Sequence, residues 1–504
     1  PNRRRSGRGI FVSSVFLHLS DLPSTLAWLR ARAPQGQLRT DSRHVQPGDI
    51  FIAWPGAAAD GRAFVAQALA HGAAACLVEH DGSADFAFAD ARIASFTGLK
   101  AITGSLAAQW LGHPAQALRI VAVTGTNGKT STAWWLAHAL PRCAMVGTLG
   151  VGLPPHFTST GMTTPDPVLL QTEFAKFIAA GAEFAAIETS SIGIVEHRLA
   201  GTAIDTAVFT NFTQDHLDYH GSMDAYWQAK AQLFDWPGLR VAVVNVDDAQ
   251  GRALAQTLAP RCALDVWTVG LQHPARLMAV DIAHTAQGMA FTVVEGQQRQ
   301  PMQTALIGQY NISNLLGVLA TLRGQGHSLA QAVAACASLQ PVPGRMQQIA
   351  VVGQPLVAID YAHTPDALVQ ALAALRPLAQ ARGGRLCCVF GCGGNRDARK
   401  RPLMGAAAEQ GADQVLVTSD NPRLEDPQAI VADILAGMRP QTPYELDRAA
   451  AIAQAIAQAD ARDVVLLAGK GHEDYQDAQG HKRPFSDYHE AARAVQARQE
   501  RTQP

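Results

Sequence analysis

The sequence predicts an α/β protein of three domains with mainly parallel sheets. Three observations carry this. Its 504 residues exceed what one hydrophobic core organises, so about two to four domains are expected. Strand-like apolar runs alternate with Ala/Leu-rich helical patterns along the whole chain, the arrangement that layers helices on parallel sheets. Finally, the apolar runs stop abruptly at polar residues. "AEFAAIE" ends at Glu188, "LVAID" at Asp360 and "RLCCVFG" at Gly391, while "ADQVLVTS" runs into Asp420 and "DVVLLAG" into Lys470. In open parallel sheets ligands sit outside the carboxyl ends of strands. Two sheets of this chain are equipped at those ends, and their rims are expected to face one cleft.

Three blocks separate by content. Residues 1–115 hold "GDIFIAWPG" and "AFVAQALAHGAAACLVEH", a small mixed α/β unit. Residues 116–340 open at "RIVAVTGTNGKTSTAWWLAHAL", and residues 341–504 open near "PVPGRMQQI" and carry several strand-then-loop units. No internal repeat or low-complexity linker marks the boundaries.

Composition excludes several classes. Hydrophobic residues make up 48% and charged residues 16%, with a formal net charge of −1. That balance argues against nucleic acid or an anionic membrane as a broad partner surface. Seven cysteines, three of them in "CCVFGC", show neither a disulfide framework nor paired zinc spacing, which fits a reducing cytoplasm. No run reaches the roughly 18–20 apolar residues that cross a bilayer. At the N-terminus, "PNRRRSGRGIFVSSVFLHLS" imitates a signal peptide, but no small-residue cleavage site follows. About the first 20 residues are therefore expected to lie outside the fold, extraneous or disordered.

The most specific single signal is "VTGTNGKTS". A strand enters, Gly125 and Gly128 permit a tight turn, and a helix follows, so the backbone N–H groups of Thr126, Asn127 and their neighbours would cradle phosphates. Lys129 would reach the terminal phosphates; the hydroxyl of Thr130, beside Ser131, would ligate Mg2+. The spacing departs from the usual loop, with two residues between the glycines where four are usual. The middle block is thus expected to be a P-loop ATPase domain and the last a Rossmann-like domain. Magnesium prefers oxygen ligands, and Glu188 at its strand end is a candidate. His216 in "NFTQDHLDYHG" is a candidate nitrogen ligand, although a loop or capping role suits its spacing better. A zinc pair of His216 and His220 lacks further ligands. In "DNPR" an arginine stands on a rigid Asn-Pro dipeptide, either as part of a solvated turn or as a clamp for a carboxylate.

These motifs occur in the order seen in the peptidoglycan Mur ligases, which the chain resembles from about residue 40 to about residue 476. "TGTNGKTS", "ETSS" followed by Arg198, "TNFTQDHLDYHG", "YWQAK", "GQYNISNLLGVLA" and "PGRMQ" mark the family. "TDSR", "GDIFIA", "DGRAF", "DYAHTPDAL", "FGCGGNRDARKRPLM", "DNPR" and "GKGHEDYQ" resemble those members that add the third residue of the stem peptide. The resemblance implies ATP-dependent amide formation. The D-Glu side-chain carboxylate of UDP-MurNAc-L-Ala-D-Glu takes the γ-phosphoryl of ATP, and the acyl phosphate is attacked by the incoming amine. A hydrolysable intermediate calls for a closed, water-poor cleft.

The same resemblance implies residue roles. Lys230, a surface lysine by pattern alone, would be carbamylated and share metal with Glu188 and His216. Asn311 and Asn314, which unaided read as helix caps, would lie near adenine. Arg345 would reach the phosphates, as a hinge-borne arginine, and Asp360 the ribose. Thr40 and Ser42 would serve the uridine, and Thr163, Thr164, Ser190 and Arg198 the muramoyl dipeptide. Two departures touch these contacts. Ile192 stands where the family usually has His, and the loop "GAAA" before "DGRAF" is poor in polar side chains.

For the amino acid, the resemblance assigns Asp420, Asn421, Pro422 and Arg423 to recognition of meso-diaminopimelate. Its distal carbon carries a carboxylate and an ammonium, whereas lysine ends in an ammonium that a guanidinium would repel. Arg396 would add a second contact, with Gly469 and Glu473 taking the ammonium. Lysine-adding relatives tend to lack the arginine, so a lysine adder is the nearest alternative. A folylpolyglutamate synthase-like enzyme would lack the N-terminal block. A D-Ala-D-Ala-adding ligase would lack "DNPR" with "GHEDYQ", and a nucleotide switch would not need Arg396, Arg423 and Glu473 on a second sheet. A cytoplasmic monomer, with no nucleic-acid or membrane partner, is expected.

Overall fold

The computed structural model describes residues 16–56, 59–285 and 288–502. Two compact units make up the chain. One holds the chain up to Gly125 with Pro141–Ala207 and Gln214–Arg240; the other holds Thr126–Leu140, Val208–Thr213 and everything from Val241 onward.

In the first unit a five-stranded sheet runs in the order Leu17–Leu19, Ile93–Phe96, Ala75–Glu79, Ile50–Ala53, Leu38–Arg39, parallel throughout. Alternation divides its residues between two cores. Ile50, Ile52 and Leu77 pack with Trp28, Leu29, Leu99 and Leu106, whereas Phe51, Ala53 and Val78 pack with Val65 and Ala68. The strand Leu17–Leu19 corrects one expectation: the fold begins before residue 20, because a short apolar run pairs in register with Ala94–Phe96. The arginine-rich residues before it lie outside the described residues, as do Ala57 and Ala58 of "GAAA". In the same unit Arg119–Thr124, Phe184–Glu188 and Cys143–Gly147 run parallel, and Gly150–Gly152 turns back antiparallel. Their near-continuous apolar runs suit strands covered on both faces.

In the second unit Val241–Asn245, Asp265–Gly270 and Leu277–Thr285 are parallel, followed by antiparallel Gly288–Glu295 and Gln298–Thr304. Here too lies a six-stranded sheet, in the order Gln347–Ile349, Leu356–Asp360, Val464–Ala468, Leu386–Phe390, Gln414–Thr418, Tyr444–Glu445. Only the first pair is antiparallel. Leu356, Ala358, Val464 and Leu466 face one core, and Val357, Ile359, Val465 and Leu467 the other. Cys388 and Cys387 fall on opposite faces, and burial pushes their thiols up to about 12 and about 11. They are packing residues. Helix boundaries follow local chemistry. Thr364 caps Pro365–Arg382, which begins on proline and ends at Gly383 in the left-handed region. The functional loops leave Asp360, Phe390, Thr418 and Ala468, all at carboxyl ends of mutually parallel strands.

Candidate active site

The strand Arg119–Thr124 delivers the glycine loop. Gly125 and Gly128 take φ of 146° and 85°, and the helix Lys129–Ala139 starts at Gly128 without a side-chain cap. Such a helix start offers backbone N–H donors to an anion. A Cβ on Gly128 would collide with the Asn314 side-chain oxygen, so the loop and Asn314 are in close approach. Lys129 Nζ lies back on its own loop, donating to the Thr126 carbonyl at 2.7 Å. The hydroxyl-bearing Thr130 and Ser131 are buried.

The first half of "TNFTQDHLDYHG", to which sequence reasoning gave no task, pins this loop. Thr126 N–H donates to the Asn211 carbonyl at 2.8 Å, and Asn127 N–H to Asn211 Oδ1 at 2.9 Å, so these two donors, expected to cradle phosphates, are satisfied within the protein instead. Thr210 Oγ1 and Asn211 Nδ2 both donate to the Asn127 carbonyl. Thr213 N–H donates to Thr126 Oγ1, whose own hydroxyl donates to the Thr213 carbonyl. A short polar segment after a strand was the available signal.

Within the first unit, Glu188 stands in parallel register with Val123, two residues before Gly125. Its carboxylate is 1% exposed, accepting the Thr148 N–H at 2.7 Å and the Thr148 hydroxyl at 3.2 Å. A Cβ on Gly147 would collide with it, which explains that glycine. Lys230 is no surface lysine: it is 1% exposed, donates to the Gly125 carbonyl at 2.7 Å and lies over the Tyr226 ring. The helix Met223–Ala231 aims it there, starting at Ser222, whose hydroxyl accepts from Ala225 N–H. His216 is 41% exposed, with Nε2 3.5 Å from Asp215, and caps the short helix Leu217–His220 through its backbone alone. His220 Nε2 meets Ser191 Oγ at 2.9 Å.

The residues expected to hold the sugar dipeptide interlock. Thr164 Oγ1 donates to the Glu188 carbonyl and pairs with Ser190 Oγ, while Arg198 donates to the Thr164 carbonyl. Ser190 also caps the helix Ser191–Val195, in which Ile192 is the second residue and half-buried. Thr163 pairs with the Thr148 hydroxyl. Thr40 hydrogen-bonds Asp166, whose carboxyl is raised by burial against the pull of Leu169, Thr40 and Val168 donors and Arg198. Ser42 is buried and donates to Gln67.

In the second unit, Asn311 and Asn314 are buried and are not caps, because the helix Gln309–Gly324 starts at Gly308. Asn311 instead donates to the Ile307 carbonyl. Asp360 accepts Met346 and Ala362 N–H groups, fastening the "PGRMQ" segment. Its carboxyl is raised by burial despite Arg345 and those donors. Arg345 lies over the Tyr361 ring at 4.5 Å, with Nε buried and without a partner among the described residues. His472 stands beside Tyr361. Burial and then Arg345 pull its imidazole down to about 4, with Lys470 adding to this and Asp474 opposing it.

That depression has a sign. The unfolded chain takes a proton near pH 6.5 and the folded one only near 4. Stability from this residue is therefore full above pH 6.5 and is lost as pH falls towards 4, a change on the order of 3 kcal/mol. His472→Phe is expected to flatten the acid limb of urea-unfolding free energies between pH 7.5 and 5. An unchanged limb would remove His472 as its source.

Around "DNPR" the side chains form one buried cluster. Lys470, 0% exposed, donates to Asn421 Oδ1 at 3.0 Å and to Glu473 Oε2 at 3.1 Å. Asn421 Nδ2 donates to the same Glu473 oxygen at 2.7 Å. Sequence reasoning noted Lys470 only as a strand-end residue. Arg423 sits at φ 52°, donates to the Gly394 carbonyl at 2.6 Å, and is bracketed by Asp477 and Gln479 of the hairpin 475–484. Pro422 is buried, and its carbonyl would clash with any side chain at Gly394. Gly469 takes φ 114° beside Asp420, donating its N–H to the Asp360 carbonyl. Arg396 is exposed on the loop after Leu386–Phe390.

Three family models match consecutive stretches of the chain between residues 37 and 471. The Mur ligase family catalytic domain matches residues 37–113, the Mur ligase middle domain 123–322, and the Mur ligase glutamate ligase domain 344–471. The chain belongs to the Mur ligase family, with its three-domain α/β fold. Among relatives, a UDP-N-acetylmuramoyl-L-alanyl-D-glutamate–2,6-diaminopimelate ligase of Acidovorax sp. (strain JS42) is 62% identical over 493 residues, covering 95% of this chain and 98% of that one. The protein of the same name from Janthinobacterium sp. (strain Marseille) is 48% identical over 496 residues, covering 95% and 97%. A solved structure bearing that name is 37% identical, with a TM-score of 0.66 and coverage of 92% and 95%. Among the described residues no helix is long and apolar enough to cross a membrane.

Proposed function

We propose that this chain is the ATP-dependent ligase that joins meso-diaminopimelate to UDP-MurNAc-L-Ala-D-Glu. The observation that carries the reading is the buried Asn421–Lys470–Glu473 cluster with Arg423 beside it, at the carboxyl ends of parallel strands. A zwitterionic carbon needs a fork-shaped cation and a carboxylate on one site, and this cluster offers both. Arg423 and Arg396 take the distal carboxylate and Glu473 the ammonium. Asn421, flanked by Asp420 and Pro422, sets the Glu473 carboxylate, and Gly469 leaves room.

At the other end of the reaction, the loop Gly125–Ser131 and Lys129 bind the phosphates of ATP, with Arg345 completing the charge. Asn311, Asn314 and Asp360 position the nucleoside. Thr40 and Ser42 serve the uridine end of the second substrate, and Thr163, Thr164, Ser190 and Arg198 its dipeptide. One D-Glu side-chain oxygen attacks the γ-phosphorus and ADP leaves. The amine then attacks the acyl carbon, loses a proton, and expels phosphate. Lys129 and the N–H groups at the start of the helix Lys129–Ala139 stabilise charge on the transferring phosphoryl.

The oxygen donors Thr130 and Glu188 suit a hard cation. They would hold Mg2+ with His216 and with Lys230 as its carbamate, and the metal would screen charge between the two anionic reactants. As a free amine Lys230 donates to the Gly125 carbonyl; carbamylation would turn this buried cation into an anionic ligand. The enzyme acts as a cytoplasmic monomer, without nucleic-acid or membrane partners.

The test is phosphate release with ATP, Mg2+ and UDP-MurNAc-L-Ala-D-Glu, adding meso-diaminopimelate or L-lysine separately. Turnover with diaminopimelate and little with lysine is expected. Preference for lysine would keep the ligase reading and sink the role of Arg423. Release with neither would sink the activity itself.

A further inference from the structure

Behind the amino-acid cluster lies an ion pair that none of the roles above uses. Arg448 and Asp487 are each 0% exposed. Arg448 Nε donates to Asp487 Oδ1 at 2.7 Å and Nη2 to Oδ2 at 2.6 Å, a two-point fork. The same guanidinium donates to two backbone carbonyls, Ser419 at 3.2 Å and Ala468 at 3.0 Å. Those carbonyls belong to the last residues before Asp420-Asn421 and before Gly469-Lys470. Five N–H donors on a rigid plane thus tie together the two strand ends that carry the recognition loops. Burial opposes the charge on Arg448, while Asp487 and then Asp420 and Glu473 hold it in place.

Asp487 opens the C-terminal helix Asp487–Thr502. Arg448 opens the helix Arg448–Gln458, capped by Asp447. A buried ion pair is by itself weak evidence of stabilisation, since apolar replacements of equal volume are often as stable. Here its geometry has a positional product. It joins Ser419 to Ala468, which stand two residues before Asn421 and Lys470.

We propose that Arg448 and Asp487 are positioning residues for diaminopimelate, acting through the two strand ends and touching no substrate themselves. This rests on the ligase reading above. Arg448→Lys keeps the charge but cannot span Asp487 and both carbonyls. Asp487→Asn keeps the shape and one acceptor. Each variant of the full chain is expected to raise KM for diaminopimelate at least tenfold. KM for ATP and for UDP-MurNAc-L-Ala-D-Glu is expected to stay within twofold. A purely structural role would instead lower the melting temperature and the active fraction, leaving all three KM values alone, and that result overturns the proposal.

A measurement on the unaltered chain covers the case of variants that do not fold. On adding diaminopimelate, amide hydrogen exchange is expected to slow together in residues 419–423, 468–474 and the first turn of Asp487–Thr502. Protection confined to the two loops overturns the coupling. The two readings fail separately. If the unaltered chain shows no amino-acid-dependent phosphate release, the ligase reading falls. If it turns over and the variants keep a normal diaminopimelate KM, only the positioning role falls.

Discussion

Lys230→Ala is expected to lower turnover by about 100- to 1,000-fold, the usual cost of deleting one group that stabilises developing charge. The structure makes this a sharp test because Lys230 is 1% exposed and its amine touches the Gly125 carbonyl of the phosphate loop. The same amine lies over the Tyr226 ring. Two species are at issue, an ammonium and a carbamate. They predict opposite rescues in the alanine variant. If the working group is a carbamate, added butyrate restores part of the activity and butylamine does not. If it is the ammonium, the amine rescues and the carboxylate inhibits. Full activity in Lys230→Ala would remove the residue from the reaction altogether. Circular dichroism of the variant checks that the helix Met223–Ala231 survives, since a truncated buried lysine leaves a cavity.

What was legible in the sequence follows from how local the cause is. The strand ends at Glu188, Asp360, Thr418 and Ala468 were readable because an apolar run that stops at polar residues needs no partner to be recognised. The turn at Gly125 and Gly128 was readable for the same reason. Other features depend on residues far apart in the chain. Nothing in "SDNPR" says that Asn421 spends both ends of its amide on Lys470 and Glu473, some fifty residues later. Nor does "TDSR" say that the Ser42 hydroxyl meets Gln67, twenty-five residues later. Asn311 and Asn314 looked like caps because they stand near a helix start. The cap falls on Gly308 instead, which no polar pattern announces. The strand Leu17–Leu19 was discounted because arginines precede it, although what decides its place is the edge of a sheet whose partner is Ile93–Phe96.

Arg423→Gly is expected to cut kcat/KM for diaminopimelate by 100-fold or more while leaving stability unchanged or slightly raised. The two halves have separate causes. Arg423 is a non-glycine residue at φ 52°, a conformation that costs a side chain about 1 kcal/mol or more and that glycine adopts freely. The surrounding backbone enforces it: Arg423 N–H donates to the Asp477 carbonyl at 3.0 Å and Gln479 N–H to the Arg423 carbonyl at 2.6 Å. Its guanidinium then extends to Gly394, with Gly393 too small to block it. Strain held at a ligand site is a sign that position matters more than stability there. If Arg423 takes the distal carboxylate of diaminopimelate as proposed, loss of the fork leaves that carboxylate without its partner. L-lysine lacks that carboxylate, and its low turnover should not fall further. Arg423→Lys separates shape from charge: it keeps the cation and the strain, and is expected to recover no more than about a tenth of the activity, because an ammonium cannot make the two-point contact. Equal losses for both amino acids, or a fall in melting temperature that tracks the loss of activity, would make Arg423 a structural residue of the hairpin and return its loop to an ordinary turn.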